Sequence, residues 1–211
     1  MLPTLPPGTL KYKSSFCSKI LNRWHIRLAA HAVKNGGVIA YPTEAVYGLG
    51  CSPWDEQAIQ NLLRLKRRPA NKGLIVVAAH VYQLHALVSF DSIMSTQAIL
   101  ESWPGPVTWI LPARRDTPQW LSGGHTGIAV RVSAHPQVHE LCKICGPLVS
   151  TSANLANTRP ALTCMDVRNY FGDDLDFILP GKLGPESGPS EIRHGKSGEI
   201  LRQRELKTTM K

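Results

Sequence analysis

This 211-residue sequence predicts an α/β fold, or a closely mixed α+β one: a single twisted sheet flanked by helices. Two observations carry the prediction. Short apolar runs of strand length alternate with stretches of helical period, and nearly every run ends in a polar, Gly- or Pro-rich loop. A hydrophobic content of 43% with 18% charged residues suits a globular chain with a full core and excludes disorder throughout. No apolar run approaches bilayer-spanning length. The first twenty residues, broken by Pro3, Pro6, Pro7 and Gly8, lack the apolar centre of an export signal.

Residues 1–23 read as a flexible basic extension, 24–203 as one domain and 204–211 as a tail. A helix is predicted from Trp24 to Lys34, with Ile26, Ala29, Ala30 and Val33 on one face and Asn35-Gly36-Gly37 as its stop. Residues 38–41 form a buried strand closed by Pro42. A second helix starts at Asp55, a side chain suited to the N-cap, and buries Ile59, Leu62 and Leu63. Pro69 forces the chain out of helix before a strand over 74–79. Helical material follows to about Trp103, then strands over 107–111 and 128–132. A helix over 136–144, a strand over 147–151 and a helix over 163–171 come next. A strand stub over 177–179 and a candidate strand over 198–202 complete the series.

The net charge is +9, and its placement matters more than its size. Residues 1–43 hold Lys11, Lys13, Lys19, Arg23, Arg27 and Lys34 with no acid. Residues 57–90 hold Arg64, Lys66, Arg67, Arg68 and Lys72, again with no acid. Elsewhere acids outnumber bases, so the excess points to a local anionic partner: nucleotide, nucleic acid or both. Five cysteines, an odd number without an export signal, read as reduced thiols of a cytoplasmic protein. Cys142 and Cys145 form a CxxC after His139, but no second ligand pair of matching spacing exists, so core thiols are expected. The other histidines (25, 31, 80, 85, 125, 135 and 194) show no ligand spacing. Gly195-Lys196-Ser197 lacks the first glycine of a P-loop, since Ser190 stands there, and neither GxSxG nor HExxH occurs.

The stretch from Leu62 to Gly73, LLRLKRRPANKG, places five cations at a helix-to-strand junction. Arg offers a planar fork and Lys a mobile point charge, so the junction can hold phosphate; a solvated basic face is the alternative. Arg131, among the strand residues of AVRV, must be paired or bind a ligand, because isolated burial of a charge costs several kcal/mol. Thr43 lies in the strand-end turn YPTEAVYGLG, and Thr108 follows the turn Trp103-Pro104-Gly105-Pro106. Ser150, Ser152 and Asn154 in LVSTSAN, and Ser190 with Arg193 in PSEIR, can donate to carboxylate or phosphate oxygens.

In this order, IAYPTEAVYGLG, LKRRPANKG, WPGPVT, GIAVRV, PLVSTSAN and PSEIR resemble the YrdC/TsaC family from about Trp24 to about Gln203. Within it they are most similar to the short bacterial branch. The resemblance implies a YrdC-like fold with a basic concave face. The implied reaction condenses L-threonine, bicarbonate (or CO2) and ATP to L-threonylcarbamoyl-AMP, with Mg2+ accompanying the ATP and pyrophosphate leaving. TsaD-, TsaB- and TsaE-like partner proteins would pass the group to the adenosine 3′ of the tRNA anticodon; direct contact with tRNA stays open. By the resemblance, Lys66 and Arg68 are catalytic and hold phosphate together with Lys72, Thr108, Ser152, Asn154, Ser190 and Arg193. Thr43, Arg131 and Ser150 would bind threonine, and no side chain is assigned to a metal. Ala45 stands where longer relatives have a second threonine, and Lys72 where they have asparagine. The long form's extra C-terminal domain is not expected. A non-catalytic RNA-binding module is the rival reading, but aromatics are only 7% and none interleaves Arg64 to Lys72.

Overall fold

The computed structural model describes residues 14–203 apart from 92, 94, 186 and 187. The expected tail and the first thirteen residues of the expected extension lie outside them. Helix α1 runs Ser14–Lys34, beginning ten residues before the predicted start. The correction has a simple cause: no Pro or Gly interrupts the chain from Ser14 to Asn35, so nothing stops the helix from propagating backwards. Asn22 Oδ1 accepts from Gln137 Nε2 at 2.6 Å, which ties this early part of α1 to the helix beside it.

The remaining elements are β1 (Ile39–Pro42), β2 (Tyr47–Gly50), α2 (Glu56–Lys66), β3 (Ile75–Ala78), α3 (Thr96–Glu101), β4 (Val107–Pro112), α4 (Gln119–Ser122), β5 (Gly127–Val132), α5 (Pro136–Cys145), β6 (Leu148–Ser152), α6 (Cys164–Phe171), β7 (Phe177–Ile178), β8 (Glu191–His194) and β9 (Ile200–Arg202). Short 3-10 turns lie at Ala70–Lys72 and Val81–Leu84. The long helical stretch expected before Trp103 is only the second of these turns and α3. Asp55 caps α2 as predicted, its side chain accepting from Ala58 N. Two strands, β2 and β8, stand where the sequence reads as loop. Tyr47–Gly50 is fully buried, and its glycines are needed for closeness: a Cβ on Gly50 would stand 2.8 Å from the Tyr41 ring.

Among the described residues the strands form one mixed sheet of order β7-β1-β2-β6-β3-β5-β4-β8-β9. One face packs against α2 and α6 through residues such as Leu49, Ile59, Leu62, Val76, Val130, Val149 and Val167. The other face carries Ile39, Tyr41, Val77 and Leu148 under α1 and α5, which contribute Ile26, Ala29, Val33, Val138, Leu141 and Cys142. Cys142 is thus the core thiol expected, with burial pushing its pKa up. Among the described residues no His, Cys, Asp and Glu form a metal-holding group, and no helix is long and apolar enough to cross a membrane.

The end of α2 decides where the basic cluster goes. Arg67 takes a left-handed conformation (φ 52°); its N–H donates to Arg64 O and that of Arg68 to Leu63 O, both at 3.0 Å. Glycine usually occupies this position, and a side chain there costs roughly 1–2 kcal/mol, against which glycine loses about 0.5–1 kcal/mol of extra chain entropy. Arg67 is exposed. Arg67→Gly is therefore expected to stabilise the fold by about 0.5 kcal/mol, read as a higher urea midpoint at unchanged slope. A lowered midpoint would show that the arginine side chain holds the turn.

Candidate functional site

Helices α1 and α5 cover only part of their sheet face. Where the cover ends, the same strands line a cleft of about 210 Å3. On β6 the face changes from Leu148 to Ser150 and Ser152; on β1 it changes from Ile39 and Tyr41 to Thr43 just past the strand end. Gly48 lies opposite Ser152 and Ile75 opposite Ser150, so the two serines sit between a bare backbone and an aliphatic side chain. A Cβ on Gly48 would come within 3.2 Å of Thr43 Cγ2, so the glycine keeps this wall open.

Of the predicted residues, Thr43, Arg68, Arg131, Ser150, Ser152 and Ser190 line this cleft together. Thr108 stands just behind, fully buried, its hydroxyl 2.8 Å from that of Ser190. Lys66 and Asn154 lie behind Ser152. The Lys66 ammonium donates to Ser152 O, to Asn154 O at 2.9 Å and to Asn154 Oδ1 at 3.2 Å. Burial first, then the neighbouring Arg68 charge, push its pKa down to about 8. Lys72 is exposed on its 3-10 turn and Arg193 lies over the Trp109 ring, paired with Glu191; neither lines the cleft.

Arg68 and Arg131 face the cleft in different ways. Arg68 Nη2 donates to Gly73 O at 3.1 Å, while its buried Nε has no partner. Arg131, open to both readings in the sequence, is paired: its Nη2 stands 3.1 Å from Glu44 Oε2, both side chains being about nine-tenths buried. Its Nε is unpartnered. Glu44 Oε1 also accepts from Ser133 Oγ at 2.7 Å and Ala134 N at 3.1 Å. Burial raises the Glu44 carboxyl, but Arg131, the Ser133 hydroxyl and the Ala134 N–H outweigh it and hold its pKa below the ordinary value. The turn holding Glu44 is closed by Thr43 Oγ1 donating to Val46 O at 2.7 Å and by Gly184 N donating to Thr43 O.

Two cleft residues were missed in the sequence. Glu44 is the first acid of the chain, a lone carboxylate at a strand end, and that isolation was a usable signal. Arg202, on β9, lines the cleft and donates through Nη2 to Ser190 O at 2.8 Å; its signal was the candidate strand it ends. Among the described residues, the cleft thus holds three guanidiniums (Arg68, Arg131, Arg202) against one carboxylate, with neutral donors between them. Such a surface takes an anionic ligand and can orient a small zwitterion beside it.

Removing one partner of a buried pair strands the other charge, so Glu44→Gln is expected to cost about 3–5 kcal/mol in urea unfolding at pH 7. The folded-state carboxyl titrates below the ordinary 4.5, so the pair's contribution is complete above that value and is lost as pH falls through the folded-state value. Wild-type stability should therefore fall more steeply below about pH 4.5 than that of Glu44→Gln, whereas parallel curves would mean the pair carries no pH-linked stability.

Residues 31–204 match the Sua5/YciO/YrdC family model, described as telomere recombination. The threonylcarbamoyl-AMP synthase of Nitrosococcus oceani is 52% identical over 181 residues, covering 85% of this chain and 97% of its own. That of Pseudomonas paraeruginosa is 48% identical over 183 residues, covering 87% and 99%. Among solved structures, P. abyssi Sua5 complexed with L-threonine superposes with a TM-score of 0.80 at 30% identity; the alignment covers 87% of this chain and 55% of that longer one. E. coli YciO shares the fold, with a TM-score of 0.74 at 24% identity over 87% and 89% of the two chains. With the family model spanning most of the sequence and relatives at about half identity along nearly their whole length, this chain belongs to the Sua5/YciO/YrdC family.

Proposed function

We propose that this chain is a threonylcarbamoyl-AMP synthase, an enzyme that condenses L-threonine, bicarbonate or CO2, and ATP to L-threonylcarbamoyl-AMP and pyrophosphate, with water also released when bicarbonate is the carbon source. The observation that carries the reading is the composition of one small cleft: among its described residues stand three guanidiniums, one carboxylate already paired, and a wall of hydroxyls. The product would supply the threonylcarbamoyl group for modification of the tRNA adenosine 3′ of the anticodon, passed on by TsaD-, TsaB- and TsaE-like proteins.

No covalent nucleophile is required. The neutral threonine amine forms an N–C bond to CO2, losing a proton, and the resulting carbamate oxygen attacks the α-phosphorus of ATP. The bond from that phosphorus to the bridging oxygen breaks, and pyrophosphate leaves with the electron pair. The chain's contribution is orientation and charge. Arg131, held by Glu44 with its Nε free, would receive the threonine carboxylate, and Thr43 and Ser150 would place the rest of the amino acid. Arg68 and Arg202 would meet the negative charge that grows on the departing pyrophosphate, with Lys72 reaching in from its exposed turn. Ser152 and Ser190 would hold neutral parts of the nucleotide. Mg2+ would be held by the triphosphate, since the one carboxylate among the described lining residues, Glu44, is occupied by Arg131, Ser133 and Ala134. Bound there, it would supply further charge neutralisation.

The RNA-binding reading is not favoured. Unpaired bases are held chiefly by stacking on aromatic rings, and the described cleft residues include none.

Purified protein should release pyrophosphate from ATP only when both threonine and bicarbonate are present, and should need no tRNA. Release that ignores threonine, or none at all, would overturn the proposal. Arg68→Ala should raise the KM for ATP by at least about tenfold, a loss of roughly 1.4 kcal/mol, while the circular dichroism and Tm stay close to wild type. Wild-type ATP kinetics in this variant would place Arg68 on a solvated face.

A further inference from the structure

Lys66 and Arg68 are two residues apart in one basic run, yet the backbone sends them to different surroundings. Arg68 lines the cleft and keeps a donor without a partner. Lys66 is 4% exposed and does not line the cleft. An ammonium has three N–H donors and no other polar capacity. All three have acceptors: Ser152 O, Asn154 O and Asn154 Oδ1. The lysine backbone joins in, its carbonyl accepting from Ala156 N at 3.2 Å. Around this charge the turn is cross-linked to itself: Ser152 Oγ donates to Asn154 Oδ1 at 2.6 Å, and Asn154 Nδ2 donates to Leu155 O and Thr158 O at 2.9 and 2.8 Å. A phosphate oxygen could reach the ammonium only after one of these bonds broke, leaving a part-buried carbonyl unpaired at a cost of about 1–3 kcal/mol.

We propose that Lys66 is a positioning residue, not a phosphate ligand: it pins the Ser152–Thr158 turn so that Ser152 is presented to the nucleotide, while Arg68 makes the direct phosphate contact. The inference rests on the ATP-using reading of the cleft for its functional half. Its structural half concerns the ligand-free protein alone. Apart from Leu155, which packs against the core, the turn is held by hydrogen bonds. Beyond Ala153, whose N–H donates to Tyr47 O at 2.8 Å, residues 154–158 bond mainly to one another and to Lys66. The cage is made of oxygens converging on a point charge, which suits a compact ammonium and not the broad planar fork of guanidinium.

The test compares Lys66→Met and Lys66→Arg with wild type, first without ligand and then with ATP. Without ligand, amide hydrogen exchange across residues 154–158 should quicken by at least about tenfold in both variants, while β3 and β5 keep wild-type protection. With ATP, calorimetry should show affinity falling by at least about tenfold in both, a loss of roughly 1.4 kcal/mol, with threonine affinity changed by less than about threefold. A direct phosphate ligand behaves differently: Lys66→Arg would retain ATP affinity, and exchange in the ligand-free turn would not move. Either result overturns the proposal, as does a loosened turn with unchanged ATP binding. Should either Lys66 variant fail to fold, Asn154→Ala supplies the same comparison with the lysine intact. It removes the Oδ1 acceptor and both Nδ2 bonds, so faster exchange and weaker ATP binding are expected together; unchanged ATP affinity would sink the proposal. If wild type itself does not bind ATP, the proposed activity fails, and the exchange data alone decide whether Lys66 is the pin.

Discussion

A strand that passes from beneath a helix into an open cleft must change the chemistry of its inward face partway along, and here the change falls at the edge of α1 and α5. Tyr41 gives way to Thr43 just past the end of β1, and Leu148 to Ser150 and Ser152 on β6. Because side chains alternate with a period of two, the same registers that bury Ile39, Val77 and Leu148 also fix the heights of the polar groups. The floor of the cleft is thus a continuation of the core, and its precision comes from packing that lies outside it.

In and behind that floor the buried charges are held by opposite strategies. Arg131 is neutralised by a carboxylate brought from a turn 87 positions earlier in the chain, and Lys66 by carbonyl and amide oxygens without a counter-charge. The first arrangement leaves a guanidinium whose buried Nε has no partner; the second leaves an ammonium with all three donors engaged. Arg68 stands between these extremes, anchored by backbone carbonyls of the 72–73 segment while Nε stays unpartnered. Net charge alone does not describe such a cleft. What matters is how many N–H groups remain available.

Helix and strand periodicity was strong enough to place most elements, because the apolar runs at 38–41, 74–79 and 128–132 are buried but for the half-buried Ile75 and Ala129. β2 was hidden by Gly48 and Gly50, whose small size reads as turn chemistry but serves close packing, of Gly50 against Tyr41 and Val149 and of Gly48 against Thr43. β8 was hidden by its polar composition, since its residues are only half-buried near the border of the sheet. The grouping of Thr43, Arg68, Arg131, Ser150, Ser152 and Ser190 follows ordered motifs that a resemblance could connect. The partner of Arg131 and the enclosure of Lys66 depend on contacts across 87 and 86 positions, which no local pattern encodes.

The sheet's two outer strands have a consequence of their own. Among the described residues its borders are β7 and β9, only two and three residues long, while the longer β4 and β5 lie inside. A neighbouring molecule that tried to extend the sheet would find few free backbone groups in line, and at β9 it would also meet Arg202. The strand that contributes a guanidinium to the cleft therefore also blunts one border against edge-to-edge aggregation.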